Sequence, residues 1–138
     1  RRARAAANNI IPTSTGAAKA VSLVLPHLKG KLDGTAIRVP TPNVSLVDFK
    51  FNTKKNITIE SLNIKFQEYA NNSLKNILGV DRDPKVSSDY NHDSRSSILD
   101  LSETTTISDN FGRILTWYDN EWGFSNRMLE TTSQVCNL

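Results

Sequence analysis

The hydrophobic positions near the start of the chain predict a helix that begins after the segment "IIPTSTG". Thr15 or Gly16 stands at its start, in a position suited to an N-cap. Pro26 should end or kink the helix, because proline lacks the backbone N–H that a helix needs. The apolar residues that recur at helical spacing are Ala17, Val21, Val24 and Leu28.

Two strands and a second helix are predicted next. The segments "GTAIRVP" and "VSLVDFKF" have the composition and alternation of strands. The second segment places Val47, Phe49 and Phe51 on one face and Asp48 and Lys50 on the other. Thr58 is then positioned to cap a helix. The apolar face of that helix contains Ile59, Leu62, Phe66 and Tyr69 or Ala70.

Short strand patterns dominate the second half of the chain. "PKVSSDY" and "SSILDL" bracket the polar loop "NHDSR", and "ETTTIS" and "RILTWY" flank "DNFG", whose Asn and Gly are typical of a hairpin turn. These segments predict an antiparallel meander. Ser125 is a reasonable N-cap for a closing helix, with Met128, Thr132 and Val135 on one face. The pattern indicates an α+β fold, with helices packed on one face of a largely antiparallel sheet.

Composition and charge exclude several classes of protein. The 138 residues suit one domain and carry 17 basic and 14 acidic side chains, a net charge of +3. This excess is too small and too scattered for a nucleic-acid binder, and no apolar run is long enough for a membrane span. The single cysteine, Cys136, excludes an intrachain disulfide and favours a reducing, cytoplasmic setting. Because the chain opens without methionine, we expect a fragment of a longer protein.

Two motifs contain groups that suit an anion. In "TSTGAA", the Thr15 hydroxyl and the N–H groups of Gly16 and Ala17 stand at a helix start, where the dipole favours negative charge. A plain N-cap is the commoner explanation of such a motif. Arg38 lies in the apolar segment "AIRVP", where its charge requires a partner. Either a phosphate or an acid such as Asp48 would satisfy it.

Other reactive residue types indicate no further site. The chain contains no glycine-rich phosphate loop, and Cys136 has no base close to it in sequence. His92 lies alone in the polar segment "YNHDSR", so we expect no metal site.

Three longer strings carry a family resemblance. They are "RRARAAANNIIPTSTGAAKAVSLVLPHLKGKLDG", "RVPTPNVS" and "WYDNEWGFSNRM". In this order they closely resemble the C-terminal catalytic domain of the glyceraldehyde-3-phosphate dehydrogenase family. The resemblance implies that residues 1–138 form this domain, incomplete at its N-terminal side. The nucleotide-binding Rossmann domain, the nucleophilic cysteine and the histidine base would lie outside the chain, so we expect no catalytic residue in it and no activity from it alone.

The resemblance also implies roles for five residues. Thr15 and Gly16 would bind a phosphate with Arg38 as their partner, and Arg2 would help to form one of the anion sites. Asn120 would hydrogen-bond the carboxamide of nicotinamide and so fix which face of the ring meets the substrate.

The residues around Asn120 are expected to be structural. Asp119 and Glu121 should support the turn. Trp117, Tyr118 and Trp122 should belong to the core. Phe124 stands where many relatives have a tyrosine, so any contact made through that hydroxyl is lost.

The resemblance implies oxidation of D-glyceraldehyde 3-phosphate to 1,3-bisphosphoglycerate, with NAD as the cofactor and NADP not excluded. The expected partners are the phosphorylated substrate, inorganic phosphate and, in a homotetramer, three further copies. Two alternatives stay open. "SSDYNHDSRSSILD" also resembles erythrose-4-phosphate dehydrogenase, and the composition is compatible with a non-catalytic fragment that binds anions or mediates assembly.

Overall fold

The computed structural model describes Arg1 and residues 3–137, and their contacts divide the chain into two compact units, Arg1–Pro42 and Asn43–Leu138. The single-domain organisation expected from the length stays a prediction. No helix in the described part of the chain is long and apolar enough to cross a membrane. In chain order, the strands and α-helices are β1 (Ile11–Ser14), α1 (Ala17–Val24), β2 (Thr35–Arg38), β3 (Ser45–Asn52), α2 (Ile59–Asn71), β4 (Leu78–Asp81), β5 (Ser97–Ile107), β6 (Phe111–Tyr118) and α3 (Trp122–Cys136).

The first unit contains a two-stranded antiparallel sheet. Strands β1 and β2 pair along their whole length, with Ile11 opposite Arg38 at one end. Helix α1 follows β1 and ends at Val24, two residues before Pro26, as the sequence predicts. Strand β1 was not predicted, because its sequence "IPTS" includes a proline and shows no clear alternation.

The second unit contains a four-stranded sheet in the order β3–β6–β5–β4. Strands β3 and β5 both pair antiparallel with β6, whereas β4 pairs parallel with β5. Because β5 and β6 are joined by the short turn 108–110, the hairpin predicted around "DNFG" is confirmed. The predicted α+β class is also confirmed.

Helix α2 packs on β4 and β5. Thr58 Oγ1 accepts a hydrogen bond from the Ser61 N–H at 3.1 Å, and Ser61 Oγ accepts one from the Thr58 N–H at 2.9 Å. This reciprocal pair is a capping box, so the predicted Thr58 cap is confirmed. Below α2 lies a core cluster of three buried residues, Leu99, Leu101 and Ile114. Phe66 of α2 packs against this cluster, as do Phe51 and Val80.

A second core cluster lies on the other face of the sheet, since Ile98 and Leu99 are consecutive in β5 and point in opposite directions. It contains the fully buried Ile98 together with Val44 and Tyr90, and Trp117 packs against it. This cluster lies beside the end of β6, where the candidate cofactor site begins.

The strand predicted at "PKVSSDY" is wrong. Residues Ser87–Tyr90 form a 3-10 turn, and the strand in this region is the earlier β4. The Asp89 carboxylate accepts the Val86 N–H at 2.8 Å, and such a local bond competes with an extended conformation. The predicted antiparallel meander is therefore also corrected, because β4 joins β5 in parallel.

Candidate cofactor and anion sites

The turn between β6 and α3 is organised by the buried carboxylate of Asp119, which is 1 % exposed. Its Oδ1 accepts the backbone N–H groups of Glu121 and Trp122 at 3.0 and 2.8 Å. Its Oδ2 accepts the His92 N–H and the Asn43 side-chain amide, both at 2.9 Å. Asp119 therefore joins the end of β6 to the loop before β5 and to the residue before Val44.

These four hydrogen bonds hold the Asp119 carboxylate in its charged form. Burial acts to raise the pKa of Asp119, because it takes the charge out of water. The hydrogen bonds from Trp122, His92, Glu121 and Asn43 outweigh burial, so the pKa lies below the ordinary value of an aspartate. The predicted role of Asp119 in supporting the turn is confirmed.

The same carboxylate sets where α3 begins. The helix starts at Trp122, three residues before the predicted cap, Ser125. Ser125 lies inside the first turn, where its hydroxyl donates to the Glu121 carbonyl oxygen at 2.9 Å. The predicted start is wrong because Asp119 accepts the first N–H groups from outside the helix, as an N-cap side chain does.

Asn120 is exposed and lines a shallow pocket of about 320 Å³. Its Oδ1 accepts a hydrogen bond from the Ser45 hydroxyl at 3.1 Å. Its amide nitrogen has no partner among the described residues of this unit, so it is available as a donor. The pocket is also lined by Ser96, Tyr118, Gly123, Phe124 and Arg127.

The aromatic residues around Asn120 divide between core and surface. Trp117 packs against the second core cluster, and its indole N–H donates to Asp100 at 3.4 Å. Trp122 is 47 % exposed and contacts the ring of His92, with 5.2 Å between the ring centroids. The core assignment is therefore confirmed for Trp117 and wrong for Trp122. Phe124 is exposed beside Asn120.

The start of α1 carries the first two candidate anion ligands. Thr15 Oγ1 accepts the Ala17 N–H at 3.2 Å, and the Gly16 carbonyl accepts the Ala20 N–H at 2.9 Å. The Ala17 N–H that was expected to face an anion is therefore already bonded to Thr15. The Thr15 hydroxyl proton is still available to donate, and the N–H groups of Ala18 and Lys19 in the first turn have no acceptor within the helix.

Arg38 ends β2 and its side chain is exposed. Its cross-strand partner is Ile11, and Ser14 pairs with Thr35 at the end of the sheet next to α1. These two pairs are three residues apart, so about 10 Å of strand separates the Arg38 backbone from the end near Thr15. Only the long arginine side chain can shorten this distance.

The acid proposed as an alternative partner of Arg38 is already paired. In the second unit, Asp48 forms ion pairs with Lys50 at 2.6 Å and with Arg113 at 3.0 Å. Burial opposes the charge of Asp48, but the hydrogen bond from Lys50 has the largest effect and lowers the pKa of this carboxyl. The sequence does not indicate this network, because Arg113 is 65 residues away from Asp48.

The first unit is strongly basic. Residues 1–42 contain seven basic side chains and one acid, Asp33, a formal charge of +6, whereas the rest of the chain is acidic. Asp33 accepts the N–H of its neighbour Gly34 at 2.8 Å.

Arg2, the remaining candidate anion ligand, lies outside the described residues. The described residues contain no group of three or more His, Cys, Asp or Glu side chains that could hold a metal.

Comparison with known proteins assigns the family. The family described as "Glyceraldehyde 3-phosphate dehydrogenase, C-terminal domain" matches residues 1–120. The chain belongs to the glyceraldehyde-3-phosphate dehydrogenase family. A glyceraldehyde-3-phosphate dehydrogenase of Cereibacter sphaeroides is 57% identical over 137 residues, which are 99% of this chain and 41% of that protein. The enzyme of that name from Priestia megaterium is 55% identical, over 98% of this chain and 40% of its own length.

Plant relatives are similar at the same level. "Glyceraldehyde-3-phosphate dehydrogenase B, chloroplastic" of Pisum sativum is 54% identical, over 99% of this chain and 31% of that protein. This member of the glyceraldehyde-3-phosphate dehydrogenase family thus spans about two fifths of the length of its bacterial relatives. The family match includes Thr15, Gly16, Arg38 and Asn120.

The contacts of Asn43 and Ser45 in this dehydrogenase domain were missed from the sequence. Both residues lie in "RVPTPNVS", where they flank Val44 at the start of β3. Two polar residues between a proline and the apolar part of a strand pattern were the available signal. Their partners, Asp119 and Asn120, are 76 and 75 residues away, and local pattern carries no information about such contacts.

Proposed function

We propose that this chain is the substrate-binding, C-terminal part of a phosphorylating glyceraldehyde-3-phosphate dehydrogenase. The whole enzyme would oxidise D-glyceraldehyde 3-phosphate to 1,3-bisphosphoglycerate, using NAD or NADP and inorganic phosphate. The observation that carries the proposal is the match of nearly the whole chain to enzymes of this name, at 57% identity over 137 residues in one case.

In this proposal the first unit binds phosphate groups. Its formal charge of +6 favours an anion, and the start of α1 adds its dipole. Thr15 would donate its hydroxyl proton to a phosphate oxygen, and backbone donors next to Gly16 would bind a second one. Arg38 and Arg2 would supply guanidinium groups, which suit two oxygens of one phosphate.

The second unit would orient the cofactor. A bound nicotinamide would supply a hydride acceptor for the oxidation of the aldehyde. The residues around Asn120 suit its carboxamide, because an exposed side-chain amide lies in a pocket with Tyr118 and Phe124. Asn120 would hold the ring in one orientation, and buried Asp119 would keep the backbone of Asn120 in place.

We further propose that the whole enzyme is a cytoplasmic homotetramer. Large apolar side chains are exposed on two helices, including Leu23 and Val24 of α1 and Leu129 of α3. Such surfaces usually contact other protein. The absent parts of the enzyme and the neighbouring subunits would cover them.

The proposal is tested by assaying the full-length protein with each aldehyde in turn. We expect reduction of NAD or NADP that requires both D-glyceraldehyde 3-phosphate and inorganic phosphate. Unphosphorylated glyceraldehyde serves as the control and should react far more slowly. A clear preference for erythrose 4-phosphate would favour the erythrose enzyme, and no reaction with either aldehyde would overturn the proposal.

A further inference from the structure

We propose that Ser45 is a positioning residue that orients the amide of Asn120 towards the cofactor. The inference rests on the proposed function of Asn120 and adds a residue to it. Ser45 is the first residue of β3 and pairs with Tyr118, the last residue of β6. Asn120 follows Tyr118 by two residues, and its Oδ1 accepts the Ser45 hydroxyl at 3.1 Å.

In the structure, this hydrogen bond engages Oδ1 of Asn120 and leaves Nδ2 for a ligand. A side-chain amide has one acceptor, Oδ1, and one donor group, Nδ2. With Oδ1 bound to Ser45, the group available to the ligand is Nδ2, which donates. Asn120 would therefore bind the oxygen of the nicotinamide carboxamide and not its NH₂ group. Because a serine hydroxyl both donates and accepts, it can hold the amide in either orientation, and the cofactor analogue described below distinguishes the two.

The backbone next to Ser45 is held in an uncommon conformation. Val44 has a φ of +69°, which a β-branched residue rarely adopts. Such a conformation persists only where its surroundings enforce it, and it is concentrated at functional sites. Here the Val44 side chain is buried against Tyr90 and Ile98.

Asn43 holds the other side of Val44. Its side-chain nitrogen donates to Asp119 at 2.9 Å and to Asn91 at 2.7 Å. Asp119 in turn precedes Asn120. The donor, Ser45, and the acceptor, Asn120, are thus each one residue away from a position that is fixed by buried contacts, which makes the bond between them reproducible.

The test compares single and double variants of the full-length enzyme. In Ser45→Ala, we expect the Kd for NAD, measured by calorimetric titration, and the KM for NAD to rise about two- to tenfold, the effect of losing one ordinary hydrogen bond. Ser45→Thr keeps the hydroxyl and should recover most of the affinity. In the Asn120→Ala background, Ser45→Ala should cause no further change. Ser125→Ala, which removes a hydroxyl bonded to Glu121 and not to Asn120, is the matched control and should leave the KM for NAD unchanged.

A cofactor analogue tests the orientation of the amide. In the methyl-ketone analogue of NAD, the carbonyl oxygen of the carboxamide is kept and the NH₂ group is replaced by a methyl group. If Asn120 donates through Nδ2, Asn120→Ala should weaken NAD and the analogue by the same factor. A penalty that appears with NAD and disappears with the analogue would mean that Oδ1 faces the cofactor, and this outcome would overturn the inference.

The inference and the proposed function fail in different ways. Asn120→Ala could weaken the binding of NAD while Ser45→Ala still has its full effect in the Asn120→Ala background. Ser45 would then act independently of Asn120, and the inference alone would be overturned. If Asn120→Ala leaves the KM for NAD unchanged, the proposed role of Asn120 is overturned, and the inference with it.

Discussion

Asp119 and Asn120 are adjacent but have opposite surroundings. The Asp119 carboxylate is buried and accepts four hydrogen bonds, whereas the Asn120 amide is exposed and its oxygen accepts one. Because Asp119 fixes the backbone, Asn120 can be presented to a ligand without a further cost of ordering the turn. The geometry of the candidate site at this scale therefore depends on a buried neighbour, Asp119.

Replacing Asp119 with asparagine should destabilise the enzyme at neutral pH. The asparagine nitrogen cannot accept the His92 N–H or the Asn43 amide, and each unpaired buried donor costs about 1–3 kcal/mol. The wild-type pKa is depressed in the folded state, so the carboxylate stabilises the fold above the unfolded pKa, about 3.9, and loses this effect as the pH falls through the folded pKa.

Thermal midpoints of both proteins between neutral and acid pH would check this prediction. We expect the wild-type midpoint to approach that of Asp119→Asn in acid. A constant difference between the two across the whole range would show that ionisation of Asp119 does not contribute to stability.

Arg38→Ala should weaken the binding of the phosphorylated substrate or of inorganic phosphate by about ten- to a hundredfold, because a hydrogen bond to a charged group contributes about 1.5–3 kcal/mol. Thr15→Ala should have a clearly smaller effect, because its hydroxyl is neutral. Arg38→Lys should recover only part of the loss, because an ammonium keeps the charge but not the planar fork. Steady-state kinetics with varied phosphate measure all three.

The control for Arg38 is an aldehyde without a phosphate group. At saturating inorganic phosphate, wild type and variants should oxidise it about equally well. If Arg38→Ala lowers the thermal midpoint and affects both aldehydes equally, Arg38 has a structural role and the anion assignment is wrong.

At the scale of elements, the register between β3 and β6 brings the candidate site together. In this register, Ser45 pairs with Tyr118 at one end of the two strands, and Phe51 pairs with Gly112 near the other end. A slip of one residue would turn Ser45 away from Asn120 and Phe51 out of the core, because neighbouring residues of a strand face opposite sides. Packing at Gly112 therefore also protects the geometry at Ser45.

Gly112→Ala should destabilise the second unit by about 1–3 kcal/mol, the usual cost of overpacking a core. An added Cβ would lie 2.7 Å from the Phe51 ring and 3.1 Å from the Ile57 side chain. Gly34→Ala is the matched control, because a Cβ there meets no atom within 4 Å. Thermal unfolding of the two variants should give a lowered midpoint only for Gly112→Ala, and equal midpoints would contradict the packing argument.

At the scale of the whole molecule, much apolar surface is exposed. Leu23 in α1 and Leu129 in α3 are 82 % and 72 % exposed, and the predicted apolar face of α3, Met128, Thr132 and Val135, is also exposed. Soluble monomers rarely leave so many large apolar side chains in water. The chain therefore has the surface expected of a part of a larger assembly.

The isolated 138-residue chain should self-associate, because these apolar side chains gain from mutual burial. Sedimentation velocity over a range of concentrations measures the association. Leu129→Lys should reduce it, whereas Gln134→Lys adds the same charge to α3 at an exposed polar position and should change it less. A stable monomer at high concentration would instead favour a self-sufficient, non-catalytic module.

The sequence by itself determined the features that depend on neighbouring residues. The alternation in "VSLVDFKF" predicts the two faces of β3, and Asp48 and Lys50 do form an ion pair on the face opposite Phe49 and Phe51, whose rings stack. The Thr58 cap and the hairpin after β5 are local in the same way. The motifs identify the family because they are strings of adjacent residues.

Only the tertiary structure decided the features that depend on distant parts of the chain. The parallel pairing of β4 with β5 and the bond from Ser45 to Asn120 join segments that no local pattern relates. Two of the four hydrogen bonds of Asp119 come from His92 and Asn43, which are far away in sequence. They hold Asp119 in place to cap α3, and the sequence prediction of the start of α3 was wrong because local pattern does not show these contacts. Hydrophobic periodicity reports which face of an element is buried, but the choice of partner depends on which polar groups still need a hydrogen bond once the chain has folded.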